Sequence, residues 1–245
     1  MVATPRDAAT LILLRRARRS ESGIEVLVLL RNASSAFLPG AYVFPGGMVE
    51  VADYAPEVER ICHGLSFEKA RSIINSASLP EKALGFFVAA IREAFEEAGI
   101  LLVCRESSAL AALDEEQKAR FGRYRKKVHD DPVAFMPIIE QEGLKLATDS
   151  LCYFAHWITP EASPIRFDAR FFVASAPPDQ EACSDGLETT VAKWISPQEL
   201  LEEHRKEVLF LPVPTLSSVS TLARFSRVDE VIASTRGKVI HVGHG

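Results

Sequence analysis

Three glutamates, Glu93, Glu96 and Glu97, stand at positions i, i+3 and i+4 in the run Ala89-Ala90-Ile91-Arg92-Glu93-Ala94-Phe95-Glu96-Glu97-Ala98-Gly99-Ile100. On a helix that spacing turns all three carboxylates to one face. Uncompensated, each like-charged pair costs roughly a few tenths of a kcal/mol when exposed, and more when partly buried. Ile91, Ala94, Phe95 and Ala98 give the same helix an apolar side that anchors it on a core. An anchored acid cluster makes sense beside hard cations. Mg²⁺ takes oxygen ligands from a few carboxylates and completes its octahedron with water and substrate phosphate. Arg92 is placed to pair with one glutamate and fix its rotamer. Taken alone, the Glu96–Glu97 pair would read as a solvated acidic face. The upstream segment AFLPGAYVFPGG, residues 36–47, changes that balance: two prolines and three glycines exclude a helix and make a shaped loop around a short strand at Tyr42–Phe44.

Several elements must hold these two segments. The runs AATLILL (8–14) and IEVLVLLR (24–31) read as strands joined by a polar turn. Short helices are predicted over 56–62 and 66–75. A strong helix runs from Leu84 to Ala98, with Gly99 as its stop, and a strand follows over 100–104. A charged helix is predicted over 114–128 and another over 132–142, begun at Pro132. Strands return at 151–158, 169–175 and 189–195; Ser196-Pro197 opens a helix, and 214–225 forms one more. Interleaved strands and helices, without an internal repeat or a long linker, predict an α/β/α sandwich around a mixed β-sheet.

Bulk properties narrow the function. The chain has 245 residues, 47% apolar, enough for its own core, and a net charge of −5. That balance argues against non-specific binding to nucleic acid or to an acidic membrane surface, although a bound metal can supply positive charge locally for an anionic substrate. Cys62, Cys104, Cys152 and Cys183 lack CxxC spacing and read as reduced packing thiols. No secretory signal, membrane-spanning run or peroxisomal tripeptide of the SKL type is legible, so a cytoplasmic protein is expected. His129, His156 and His204 have no metal-like spacing.

The glycine loop and the glutamate helix together resemble the Nudix hydrolases, whose signature is G-x5-E-x7-R-E-U-x-E-E-x-G-U with U a bulky apolar residue. Residues Arg92 to Ile100 match its second half, with Ala94 at the first U. The first half starts at Gly47, and Asp53 stands where the family has Glu. Between Asp53 and Arg92 lie 38 residues where the family has seven. The long insertion, the Asp and the run LLLR…FLPGAYVFPGG, together with Trp157-Ile158-Thr159-Pro160 and Arg166-Phe167-Asp168-Ala169-Arg170, are similar to the branch containing coenzyme A and acyl-CoA diphosphatases.

The resemblance implies a single Nudix-type sandwich domain over 1–245, a helical insertion inside the Nudix box at 54–83 and a helical C-terminal extension at 205–245. It implies Mg²⁺ or Mn²⁺ as cofactor, held by Glu96, Glu97, Glu93 and the carbonyl of Gly46. Glu93 is ligand or base, and Arg92 orients it. Glu188, in a late loop, is a second candidate base, with an ordinary exposed acid as the alternative. Arg31, Arg166 and Arg170 are candidate phosphate contacts, since a guanidinium fork suits phosphate, with plain salt bridges as the alternative. Phe37 is a candidate for stacking on a base, with a core role as the alternative. The implied reaction is cleavage of a phosphoanhydride in a small nucleotide-type substrate such as CoA or acyl-CoA. ADP-ribose, NADH, a nucleotide sugar or a dinucleoside polyphosphate is the alternative, and a catalytically silent nucleotide-binding module the third. A homodimer is compatible with the family, and the residues do not decide it.

Overall fold

The computed structural model of the chain describes residues 2–18, 23–74, 82–107, 109–235 and 241–244. Two antiparallel strands, β1 (Arg6–Arg16) and β2 (Ile24–Arg31), start the sheet. The shaped loop contributes β3 (Tyr42–Val43) and β4 (Gly46–Met48). Helices α1 (Phe67–Ile74) and α2 (Ala83–Ala98) follow, then β5 (Val103–Cys104), α3 (Glu115–Asp130), α4 (Phe135–Gln141) and β6 (Lys145–Leu146). The chain returns to the main sheet with β7 (Cys152–Ile158), β8 (Phe167–Ser175) and β9 (Thr189–Ile195). It finishes with α5 (Pro197–Arg205), α6 (Val213–Leu222), α7 (Val228–Thr235) and β10 (His241–His244).

The main sheet is mixed. Its order is β10-β7-β8-β1-β2-β3, with β4 also on β1 and β9 also on β2. The β1–β8 pair is parallel and the β1–β2, β1–β4 and β7–β8 pairs are antiparallel. Both faces of β1 are buried, and its alternation divides the core in two. Ala9, Leu11 and Leu13 join the cluster under α2, whereas Ile12 and Leu14 join Val219 and Leu222 of α6 and Val231 of α7. The α/β/α sandwich expected from the sequence is therefore the observed architecture.

Several local expectations need correction. Residues 56–62 form a 3₁₀ helix, Pro56–Ile61, rather than an α-helix; six residues led by a proline offer little room for i→i+4 bonding. The expected strand at 100–104 pairs only over Val103–Cys104, in a separate two-stranded ladder with β6. The helix at Pro132 opens as a 3₁₀ turn before α4. The C-terminal segment expected to be helical holds α6 and α7 but ends in β10. Part of the insertion, residues 75–81, lies outside the described residues. All four cysteines are free thiols. Among the described residues no helix is long and apolar enough to cross a membrane.

Candidate active site

The glutamate helix is α2, and Gly99 ends it in the left-handed region at φ 69°, with its N–H on the carbonyls of Ala94 and Phe95. Nearly every α2 residue is buried, Arg92 included at 1% exposure. A guanidinium so enclosed must meet acceptors with all its donors. Nε and Nη2 reach the two Asp53 oxygens, each at 2.9 Å, as a two-pronged pair. Nη1 donates to Glu93 at 2.9 Å and to Glu96 at 2.6 Å, and Nη2 also donates to the Met48 carbonyl at 2.8 Å. Asp53 closes a capping box with Glu50 at the start of its own 3₁₀ turn. Arg92 thus pins the end of the glycine loop, the start of the insertion and the glutamate helix to one point.

The loop meets the helix directly. The Gly46 N–H donates to Glu97 Oε2 at 2.9 Å across 51 positions of sequence. A Cβ on Gly47 would lie 2.5–2.7 Å from the Glu93 carboxyl atoms, and one on Gly85 would lie 2.8 Å from Tyr54 Cβ. The first position lets backbone approach the acid; the second lets the insertion lie flat on α2.

Burial decides the acids' charge state. It pushes the Glu93 carboxyl up to about 8, against the pull of the Arg92 charge. Glu97 is raised well above the ordinary carboxylate value, first by burial and then by the Glu93 charge, with the Gly46 N–H opposing. Glu96 is raised by burial too, with Arg92 opposing. Among the described residues no three His, Cys, Asp or Glu side chains form a ready cage, because Glu96 turns to Arg92 and Glu97 to the loop N–H. The donors present are nonetheless those a hard divalent ion takes: carboxylate oxygens gathered where a loop backbone comes close. Buried acids that resist ionising beside one another fit a site completed by positive charge.

These groups open onto a cavity of about 800 Å³. Gly46, Gly47, Glu93 and Glu96 line one part of it, and Phe37, Phe44, Trp157, Phe167 and Phe171 line another. The rings of Phe37 and Phe167 meet edge to face at 5.2 Å. Beside them Leu38 holds a left-handed φ of 50°, a conformation that costs a leucine about 1–2 kcal/mol.

Of the residues singled out in the sequence, Arg31, Phe37, Gly46, Arg92, Glu93, Glu96 and Glu188 line the cavity. Glu97 is bonded to the loop behind them. The charges of Glu188 and Arg31 act on Glu97 with opposite signs. Arg31 Nε also donates to the Phe37 carbonyl at 3.0 Å. Arg166 and Arg170 are placed otherwise. Arg166 donates to the carbonyls of Thr159 and Ala3, holding the chain start to the 159–167 loop. Arg170 shares Phe172's side of β8, facing α2; it pairs with Asp168 and lies 5.2 Å from the Phe86 ring centroid. Strand alternation turns Phe167, Ala169 and Phe171 to the cavity and Arg170 away from it. Arg6, His129, Phe210 and Thr215 also line the cavity and were not foreseen. Arg6 was findable, since it lies in step with Ala8 and Thr10 on β1. The others come from distant elements with no local signal.

The family model for the NUDT19 Nudix domain matches residues 5–83 and 62–222. The acyl-coenzyme A diphosphatase NUDT19 of Gallus gallus is 31% identical over 268 aligned residues, covering 92% of this chain and 70% of that protein. The proteins of the same name from Xenopus laevis and Homo sapiens are 29% and 27% identical, over 87% and 89% of this chain. The chain spans 63% and 65% of their respective lengths. Among solved structures, a NUDIX hydrolase from Alicyclobacillus acidocaldarius superimposes with a TM-score of 0.73 at 24% identity, covering 98% of this chain and 99% of that one.

Proposed function

The chain belongs to the Nudix hydrolase family, and from that premise we propose that it is a divalent-metal-dependent diphosphatase of coenzyme A or acyl-CoA. The products would be a phosphopantetheine or its acyl derivative and adenosine 3′,5′-bisphosphate. The observation that carries the proposal is the cavity itself, where a carboxylate cluster suited to a cation and a wall of aromatic and apolar side chains share one enclosure. A substrate with a diphosphate joined to a long, weakly polar arm matches both parts. The relatives named acyl-coenzyme A diphosphatase support the same substrate class.

Glu96, Glu97, Glu93 and the Gly46 carbonyl would hold Mg²⁺ or Mn²⁺. Such an ion, when bound, neutralises phosphate oxygens and lowers the pKa of a bound water. Arg92 fixes the rotamers of Glu93 and Glu96 through its hydrogen bonds to both. Glu93 would accept the proton of the attacking water, with Glu188, which also lines the cavity, as the second candidate. Arg31 would meet substrate phosphate and Phe37 would stack on the base. Cleavage of CoA, acyl-CoAs, NADH, ADP-ribose and diadenosine polyphosphates, supplied with Mg²⁺ or Mn²⁺ and read by product mass, tests this. CoA compounds should be cut and the activity should vanish with a chelator. Intact CoA compounds beside a cleaved dinucleotide would overturn the substrate assignment.

A further inference from the structure

The cavity has a wall that none of the Nudix-box residues supplies. The strap leading into α6 runs beside the shaped loop: the Tyr42 N–H donates to the Phe210 carbonyl at 2.9 Å, and Ala41 bridges Phe210. That docking brings Pro212, Val213, Pro214 and Thr215, the first residues of α6, to the cavity. The helix has ten residues, its N-cap is Pro212 with no side-chain cap, and its first turn carries no acid. A helix start leaves its first N–H groups without intrahelical acceptors and bears partial positive charge. Here those groups belong to Val213 and Thr215, since Pro214 has none.

Thr215 adds an independent observation. It is 4% exposed and lines the cavity, and its hydroxyl makes no hydrogen bond among the described residues. Three of the four hydroxyls further along α6 behave differently, the exception being the half-buried Ser217. Ser218, Ser220 and Thr221 each donate to the carbonyl four residues back, at 2.8, 2.7 and 3.1 Å. The Thr215 oxygen is not one of the fully enclosed, unpartnered polar atoms, so it remains reachable from the cavity and free to bond a ligand.

We propose that the start of α6, with the Thr215 hydroxyl, is a second anion subsite that holds a phosphate monoester carried by the substrate apart from the diphosphate that is cut. Two backbone N–H groups and one hydroxyl stand there within a single helical turn, and a helix start favours such an anion. The assignment deepens the preceding one, since it rests on a CoA-like substrate whose nucleoside bears an extra phosphate. It makes the enzyme selective for phosphorylated over unphosphorylated nucleoside ends.

The full chain and its T215V and T215S variants test this by calorimetric binding of adenosine 3′,5′-bisphosphate and of AMP. The wild type should favour the bisphosphate by about tenfold, the scale of one hydrogen bond to a charged group. T215V should level the two affinities and T215S should retain the difference. T215V breaks no protein hydrogen bond and keeps the side-chain shape, so its thermal midpoint should not fall; a lowered midpoint with the preference intact would mark Thr215 as merely structural and overturn the proposal. A wild type without the preference would overturn it as well. In turnover, the ratio of KM for dephospho-CoA to KM for CoA should collapse towards one in T215V while kcat for CoA holds within a few-fold. Failure of both CoA and dephospho-CoA to be cut would sink the substrate assignment, while the binding comparison would still decide the subsite.

Discussion

At the glutamate end of the cavity one guanidinium gathers Asp53, Glu93, Glu96 and the Met48 carbonyl, and Glu97 is held by a loop N–H. At the aromatic end the wall comes from the 37–44 loop, β7, β8 and the strap before α6, and several of its apolar side chains stay open: Phe210 is 51% and Val213 59% exposed. The first end is over-determined, with each polar group held by at least one other. The second is held by packing and by hydrogen bonds to main-chain carbonyls, such as Tyr42 N–H to Phe210 and Arg31 Nε to Phe37. Chemistry tolerates little displacement of the groups that perform it, while a wall that accepts an arm of varying length needs no such rigidity. Reactivity and selectivity should therefore respond to different substitutions.

The largest effect is expected on stability at the rigid end. Arg92→Met strands a cluster of buried acids around an uncharged side chain, and should cost about 3–5 kcal/mol of unfolding free energy in urea titration. A loss below about 1 kcal/mol would mean that the network is not what holds loop to helix. Next in size, Glu97→Gln should lower kcat by more than about 100-fold, since even groups one step removed from a metal contribute 10–100-fold. Its amide oxygen still accepts from Gly46, so the thermal midpoint should stay near that of the wild type. Wild-type ligand binding without turnover under any metal would instead favour a silent module. Gly47→Ala should push the Glu93 carboxyl aside and lower kcat by about tenfold to a hundredfold, read by steady-state kinetics beside circular dichroism. Smallest is Phe210→Ala at the open end. A change of about tenfold or less in KM across acyl-chain lengths is expected, with stability within about 0.5 kcal/mol. If Phe210→Ala lowered kcat as Glu97→Gln does, the division between the two ends would fail.

The same division governs what could be read beforehand. Glu93, Glu96 and Glu97 lie within one helical turn, so their spacing alone reports a shared face, and the FPGG bend announces itself by composition. The sandwich was legible from alternating runs such as 8–14 and 24–31. For Arg170 strand parity separates the two readings: β8 sends it to the α2 face, where it pairs with Asp168 as the salt-bridge alternative had it, and sends Phe171 to the cavity. Phe210 and Thr215 carry no local mark, for their role arises only when the strap crosses residues 41–42. The side-chain types over Pro56–Ile61 suit a helix, and it is the shortness of the proline-led segment that makes it a 3₁₀ turn.

The fork between Arg92 and Asp53 has a consequence for the 38 residues that separate them. With both stems clamped, the intervening segment is a closed excursion, and lengthening such a loop is inexpensive: each doubling costs only about 0.6 kcal/mol of closure entropy. The interruption is thus one of spelling and not of space. A search that demands fixed spacing between the two halves overlooks chains of this kind, whereas one that ties them by the Asp–Arg clasp and leaves the interval free would recover them.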